Sequence, residues 1–199
     1  MLGIKRVGAL VDGVFAIAMT LLAFDLRVSD IIAPIANRTI SNVISTIWPH
    51  FFIYAVSFII LGFYWIEHRI QYDHIRFSSK YFLWINIFFL MFIALIPFST
   101  GVLWRYLDKQ FSIVLYGINI ILIGILSYSH WWYVHFRRLA RKDTTLLINA
   151  AIKKSILLAP IIAIISIFIS FFSLWVSWLI YALVPMYYIF LSRIDFFRK

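Results

Sequence analysis

The 199-residue sequence has no cysteine, and only 13% of it is charged. The missing thiols exclude a disulfide scaffold, a thiolate metal centre, an iron–sulfur cluster and thiol catalysis. The scarcity of charge excludes an ordinary soluble domain, in which about a quarter of the residues are charged. Disorder is excluded as well, because it needs few aromatics and many charges, and here 20% of the chain is aromatic. The 7 glycines are scattered, so there is neither a Gly-rich phosphate loop nor a carbonyl filter of the TVGYG kind. No HExxH motif and no nucleophile elbow occur. His68 and His74, and His130 and His135, are spaced so that neither pair stacks on one helical face. The sequence therefore nominates no catalytic residue, no metal site and no cofactor.

What is present is apolar: 64% of the residues are hydrophobic. A membrane-spanning helix needs roughly 20 such residues, and six stretches qualify. They run from about 7–26, 43–66, 81–104, 111–134, 155–172 and 174–191. No charge falls between Lys154 and Arg193. A single helix across that gap would be about 57 Å long at 1.5 Å per residue, too long for a hydrocarbon core of about 30 Å. Two spans joined by a tight hairpin near Ser173 are expected instead. Lys5 and Arg6 before the first stretch resemble a cleavable signal, but the run is too long for one and contains Asp12, so a retained helix is expected. The fold class is an all-α integral membrane protein with six transmembrane helices in one membrane domain, residues 1–199.

The +10 net charge reports orientation here rather than a nucleic-acid partner. Six spans put both termini and the 2–3 and 4–5 loops on one side, which receives 14 of the 18 Lys and Arg residues; the other side holds Arg27, Arg38, Arg105 and Lys109. The positive-inside bias then makes both termini cytoplasmic. The connection from Arg137 to Lys154 carries six basic residues and one acid. It reads as a topology anchor against anionic headgroups, with a specific lipid or nucleotide site as the alternative. Residues 29–42, with Pro34, read as a short loop or interfacial helix on the other side.

Ionisable groups at membrane depth need a partner or water. Asp12 lies about one and a half turns into the first helix, and Arg6 sits some 240° away around it, so Asp12 must pair with another helix or subunit. His68, Arg69 and Asn86 lie at matching depth. Two readings stay open for Asp12, a structural polar network and direct handling of ions or protons. Asp25, near Arg27, reads either as a solvated helix end or as an acidic outer mouth that concentrates cations. Leu10, Gly13, Ile17, Leu21 and Phe24 recur at three- and four-residue spacing, which is one helical face, with Thr20 beside it. In so apolar a helix the default for that stripe is packing against lipid or neighbouring helices.

The stretch Arg6-Val7-Gly8-Ala9-Leu10-Val11-Asp12-Gly13-Val14-Phe15-Ala16-Ile17-Ala18-Met19-Thr20-Leu21-Leu22 resembles the first helix of the prokaryotic transmembrane protein 175 family, whose signature is RxxxFSD. Phe63-Tyr64-Trp65-Ile66-Glu67-His68-Arg69 is similar to the end of that family's second span. Asn86 and Ala94-Leu95-Ile96-Pro97-Phe98-Ser99-Thr100 are similar to its third. The likeness covers roughly the first 105 residues; beyond them only span count and apolarity agree.

The resemblance implies a potassium-permeable cation channel in the cell membrane, a homotetramer of six-span subunits with the first helices around the pore. It implies apolar constriction at Ile17, with Leu21 and Phe24 further out, and a pore-near hydroxyl at Thr20. Arg6 and Asp12 match the ends of the signature, and with Trp65, His68 and Asn86 they form the implied interhelical network. Leu10 and Val11 depart from it, replacing the signature Phe and Ser and removing a hydroxyl, and Phe24 is bulky for a pore position. The implied partners are further copies of the chain, membrane lipids and permeant monovalent cations, with potassium as the permeant species and no nucleic acid. The alternative function is a proton-leak pathway or secondary carrier using Asp12 and His68. An enzyme is not expected.

Overall fold

The computed structural model describes residues 4–25, 40–141 and 144–190. Every regular element among them is a helix: α1 Ile4–Asp25, α2 Ile40–Asp73, α3 Lys80–Ala94, α4 Ile96–Arg105, α5 Gln110–Phe136, α6 Leu146–Ile169, α7 Leu174–Tyr181 and α8 Leu183–Phe190. Five helical segments are long and apolar enough to cross a membrane: Arg6–Phe24, Ile47–Asp73, Lys80–Arg105, Gln110–Phe136 and Leu146–Ile169. The sixth apolar segment is the shorter, interrupted run formed by α7 and α8. The expected loop or interfacial helix over 29–42 falls largely outside the described residues.

Local chemistry sets the boundaries. Ser79, Thr145 and Ser173 sit in extended conformation, and each side-chain oxygen accepts a backbone N–H from the first turn of the helix it precedes: Phe82 of α3, Ile148 of α6 and Val176 of α7. The third span breaks between α3 and α4 at Leu95, because Pro97 has no N–H to return to the Ile93 carbonyl. Pro185 has the same effect on the Tyr181 carbonyl, the point where α7 gives way to α8. Two helices outrun their apolar stretches. α2 continues through its polar end to Asp73, and α6 begins at Leu146, ahead of Lys153 and Lys154. Ser170–Ser173 closes the α6–α7 hairpin.

In lipid, burying an apolar side chain removes it from hydrocarbon rather than from water. Helix association therefore rests on close packing and interhelical hydrogen bonds. Both are visible. A continuous core gathers Phe15 and Leu22 of α1, Ile60 and Leu61 of α2, Phe89 and Ile93 of α3, Ile113 and Ile123 of α5, and Ala159 and Ala163 of α6. α5 and α6 approach so closely that a Cβ at Gly124 would overlap the Pro160 ring. Toward the Arg105 end, Thr100 donates to Ser57 (3.1 Å), Ser57 pairs with Tyr116 (3.1 Å), and Asn119 donates to Ser99 (3.2 Å).

Candidate functional site

α1 has two unlike faces. Val7, Val11, Phe15, Ala18 and Leu22, spaced by threes and fours, are at most 6% exposed and pack into the bundle. Leu10, Ile17, Leu21 and Phe24, the stripe picked out in the sequence, are 54%, 62%, 45% and 75% exposed. Gly8 and Gly13 also face open space, since a Cβ at either would meet nothing within 4 Å. Thr20 lies on the exposed side, where its hydroxyl donates to the Ile17 carbonyl (2.9 Å) and its oxygen lone pairs remain outward. The apolar window of α1 is 28% buried, against 39–50% for the other four. Asp25 is the last residue of α1; its side chain lies outside the described residues.

At its Arg6 end the helix is tied to α2. Trp65 Nε1 donates to Asp12 Oδ1 at 2.8 Å, and the Arg69 guanidinium lies 5.7 Å from the centre of the Trp65 ring. A separate bond joins α2 to α3, His68 Nε2 to Asn86 Oδ1 at 3.0 Å, with both residues buried. Asp12 thus does meet another helix, but through Trp65. His68, Arg69 and Asn86, the partners inferred from depth, make no direct hydrogen bond to it among the described residues. Trp65, His68 and Arg69 share one face of α2, but His68 is bonded to Asn86 and Arg69 lies over the Trp65 ring, so Trp65 is the residue that reaches the carboxylate. Arg6 is exposed and forms no ion pair with Asp12. Between the two helices lies an open cleft of about 340 Å³, bordered by Gly8 and Asp12 on one side and Trp65, His68, Arg69 and Asp73 on the other.

A buried polar group behind this cleft went unread in the sequence. Gln71 Nε2 donates to Ser127 (2.9 Å), and Gln71 Oε1 meets His130 Nδ1 (3.2 Å). His130 stacks parallel to Tyr72, centres 5.6 Å apart, and lies 5.5 Å from His68. Glu67 is 3% exposed, and its carboxyl group lies beside Ser155 of α6. The available signal was the run Glu67, His68, Gln71, Tyr72, whose four-residue spacings place polar groups on adjacent faces of a continuing helix.

Chemically, the arrangement presents a smooth apolar surface that ends in an anchored carboxylate, with a second, sequestered polar layer behind it. No nucleophile–base pair is assembled around Asp12.

The chain is similar in sequence and fold to known proteins. A family model described as the endosomal/lysosomal potassium channel TMEM175 matches residues 6–97. A potassium channel of Chamaesiphon minutus is 27% identical over 177 residues, 86% of either chain. One from Streptomyces collinus is 28% identical over 133 residues, 65% of this chain and 63% of its own length. One from a Chryseobacterium strain is 30% identical over 120 residues, 60% of this chain and 59% of its own. The chain therefore spans somewhat less than two thirds of the Streptomyces relative. The crystal structure of a lysosomal potassium-selective channel TMEM175 homologue from Chamaesiphon minutus superimposes with a TM-score of 0.79 at 24% identity, over 94% of this chain and 96% of that one, which establishes a common fold. All are named channels, and none an enzyme. Over residues 6–97 the chain is similar to the TMEM175 family, and it shares the multi-pass helical fold of the Chamaesiphon homologue.

Proposed function

We propose that the chain is one subunit of a potassium-permeable channel in the cell membrane, four copies of which surround a path lined by α1, with both termini cytoplasmic. The observation that carries this reading is the exposure of Asp12 at the edge of the open side of α1 that carries Ile17 and Thr20. An apolar stripe alone would suit lipid. A carboxylate that stays exposed more than a turn inside an apolar helix, with Trp65 on one oxygen, would not, because exposure to hydrocarbon costs several kcal/mol. That arc calls for water or neighbouring copies, and a closed ring of subunits supplies both. The relatives' names give the permeant ion.

In such a ring Ile17, Leu21 and Phe24 form successive apolar constrictions. A constriction narrow enough to shed its water blocks ions, and a small rotation or splay of α1 rewets it. Selectivity in this reading also arises at these side-chain rings. Thr20, bonded to its own helix, offers only oxygen to the path, Asp25 marks the outer mouth, and the Asp12–Trp65 bond fixes how α1 is turned.

The leak or carrier alternative needs Asp12 and His68 to pass a proton between them. They have separate partners, Trp65 and Asn86, so the geometry favours the channel. The test is potassium flux from liposomes carrying the purified chain. Ile17→Asn hydrates the constriction and is expected to raise resting flux. Unchanged flux in well-folded protein would remove Ile17 as the gate, and strict coupling of flux to protons would restore the carrier.

A further inference from the structure

The geometry points to a binding site for the phosphate headgroup of an anionic lipid, at the seam where the α2–α3 loop meets the α5–α6 connection. These segments are some 60 residues apart in sequence, yet their backbones are stitched together. Ile75 and Ala140 form an antiparallel bridge. Arg76 N donates to Leu139 O (2.9 Å), and Arg141 N to His74 O (2.8 Å). Arg141 Nη1 adds a bond to the Asp73 carbonyl (3.1 Å). Beneath the seam Val7, Tyr72, Ile75, Phe82 and Val134 form a separate apolar cluster that holds it in place.

The stitching sets the backbone at Arg76 beside the 139–141 stretch, and Arg76, Arg137, Arg138 and Arg141 are all exposed. Across 73–80 and 133–141 the one acid is Asp73, whose residue borders the cleft beside α1. A topology signal needs basic residues only somewhere in the loops; it does not need two loops folded against each other. Arg138 is more telling. Its φ of 54° is the one positive value at a non-glycine among the described residues, a conformation glycine would adopt without strain. A guanidinium stands where the backbone favours no side chain. Several arginines at fixed spacing are the arrangement that grips phosphate oxygens by forked hydrogen bonds.

Depth selects lipid over a soluble anion. Trp132 and Phe136, exposed and stacked at 5.1 Å, occupy the last turns of α5 immediately before Arg137. Phe77 is exposed beside Arg76, whose guanidinium sits 4.9 Å from its ring centre. Aromatic rings next to arginines are the pattern of the headgroup layer.

The site is tested on the full chain in detergent micelles, as the thermal midpoint on adding phosphatidylglycerol, phosphatidylcholine, glycerol phosphate or inorganic phosphate. Phosphatidylglycerol should raise the midpoint, and the other three should not. Arg76→Gln with Arg141→Gln should remove about half of the rise, as two of four cationic contacts are lost. Arg138→Gly should weaken the response while leaving the lipid-free midpoint equal or higher, which separates lost binding from misfolding. Lys153→Gln with Lys154→Gln, basic positions on α6 outside the two bridged segments, should respond like the parent. Equal loss in that lysine variant would replace the site with diffuse charge attraction. An equal rise with inorganic phosphate would make it a soluble-anion site, and undiminished responses in the arginine variants would abolish it.

Discussion

The bond from Trp65 to Asp12 is the one direct polar tether between α1 and its bundle described above, and its worth can be worked out. An indole N–H donating to a carboxylate at 2.8 Å is a charge-assisted bond, of the class that contributes about 1.5–3 kcal/mol. Asp12 is exposed, so water competes and the lower end applies, about 1.5 kcal/mol, or roughly tenfold in an equilibrium constant. Trp65→Phe alone would overstate it, because the partly buried indole also packs on the core and carries Arg69 on its face. A double-mutant cycle with Asp12→Ala removes those contributions. Equilibrium unfolding of the four proteins in mixed micelles should give a coupling of about 1.5 kcal/mol, and Asp12→Asn, which keeps an acceptor oxygen, should retain roughly half of it. Additivity of the two substitutions within about 0.5 kcal/mol would refute the tether. Under the channel reading, Asp12→Ala should also lower assembled yield more than it alters ion preference, as measured by potassium and sodium flux in liposomes.

The other predictions test neighbouring links. Gly124→Ala should destabilise the bundle by about 1–3 kcal/mol, since its methyl meets a ring fixed to the α6 backbone; a thermal midpoint unchanged from the parent would mean that the helices slide apart freely. Asn86→Ala leaves the buried His68 imidazole without its 3.0 Å partner and should cost about 1–3 kcal/mol in the same assay. Leu22→Asn, on the buried face of α1, should reduce folded yield by size-exclusion chromatography, while Ile17→Asn on the free face leaves it intact. Asp108, held below the usual carboxylate range by Lys109 at 2.9 Å, favours the folded chain only above its unfolded pKa and loses that contribution as pH falls through the lowered value. The pair is fully in water, so Asp108→Asn should leave the midpoint where it is.

Hydropathy made the helical spans legible because a bilayer allows little else: a run of some 20 apolar residues must close its own backbone hydrogen bonds. The same measure could not see where helices continue past the apolar layer. α2 goes on from Ile66 to Asp73 because Glu67, His68, Gln71 and Tyr72 turn inward and are buried, which depends on α3, α5 and α6 being there to receive them. Lys153 and Lys154 look like a loop by charge, yet the Thr145 cap starts α6 well before them. Asp12 announced that it needed a partner, but choosing Trp65 over His68 and Arg69, which share its face of α2, depends on where α1 and α3 sit; the resemblance placed Trp65 only among the network residues. The seam between the 74–79 and 137–141 segments left no mark in the sequence, since backbone bridges in loops follow from where the helices end.

Leu10 and Val11, where the resemblance implies Phe and Ser, differ in exposure, and that decides what each one changes. Leu10 is on the exposed arc, so under the channel reading an aliphatic side chain there in place of an aromatic one reshapes the surface offered to the path or to neighbouring copies. Val11 is on the buried face with Phe15, Ala18 and Leu22, in the main apolar core. A serine hydroxyl at that position would need a partner within the bundle, or else back-bond to its own helix. With valine there is no such demand, and α1 is held by packing along its length and by the Asp12–Trp65 bond at one end. A helix fixed at a single polar point turns more easily about its axis than one fixed at two. Under the channel reading, valine at this position therefore lowers the resistance of α1 to rotation and concentrates control of that rotation in Asp12.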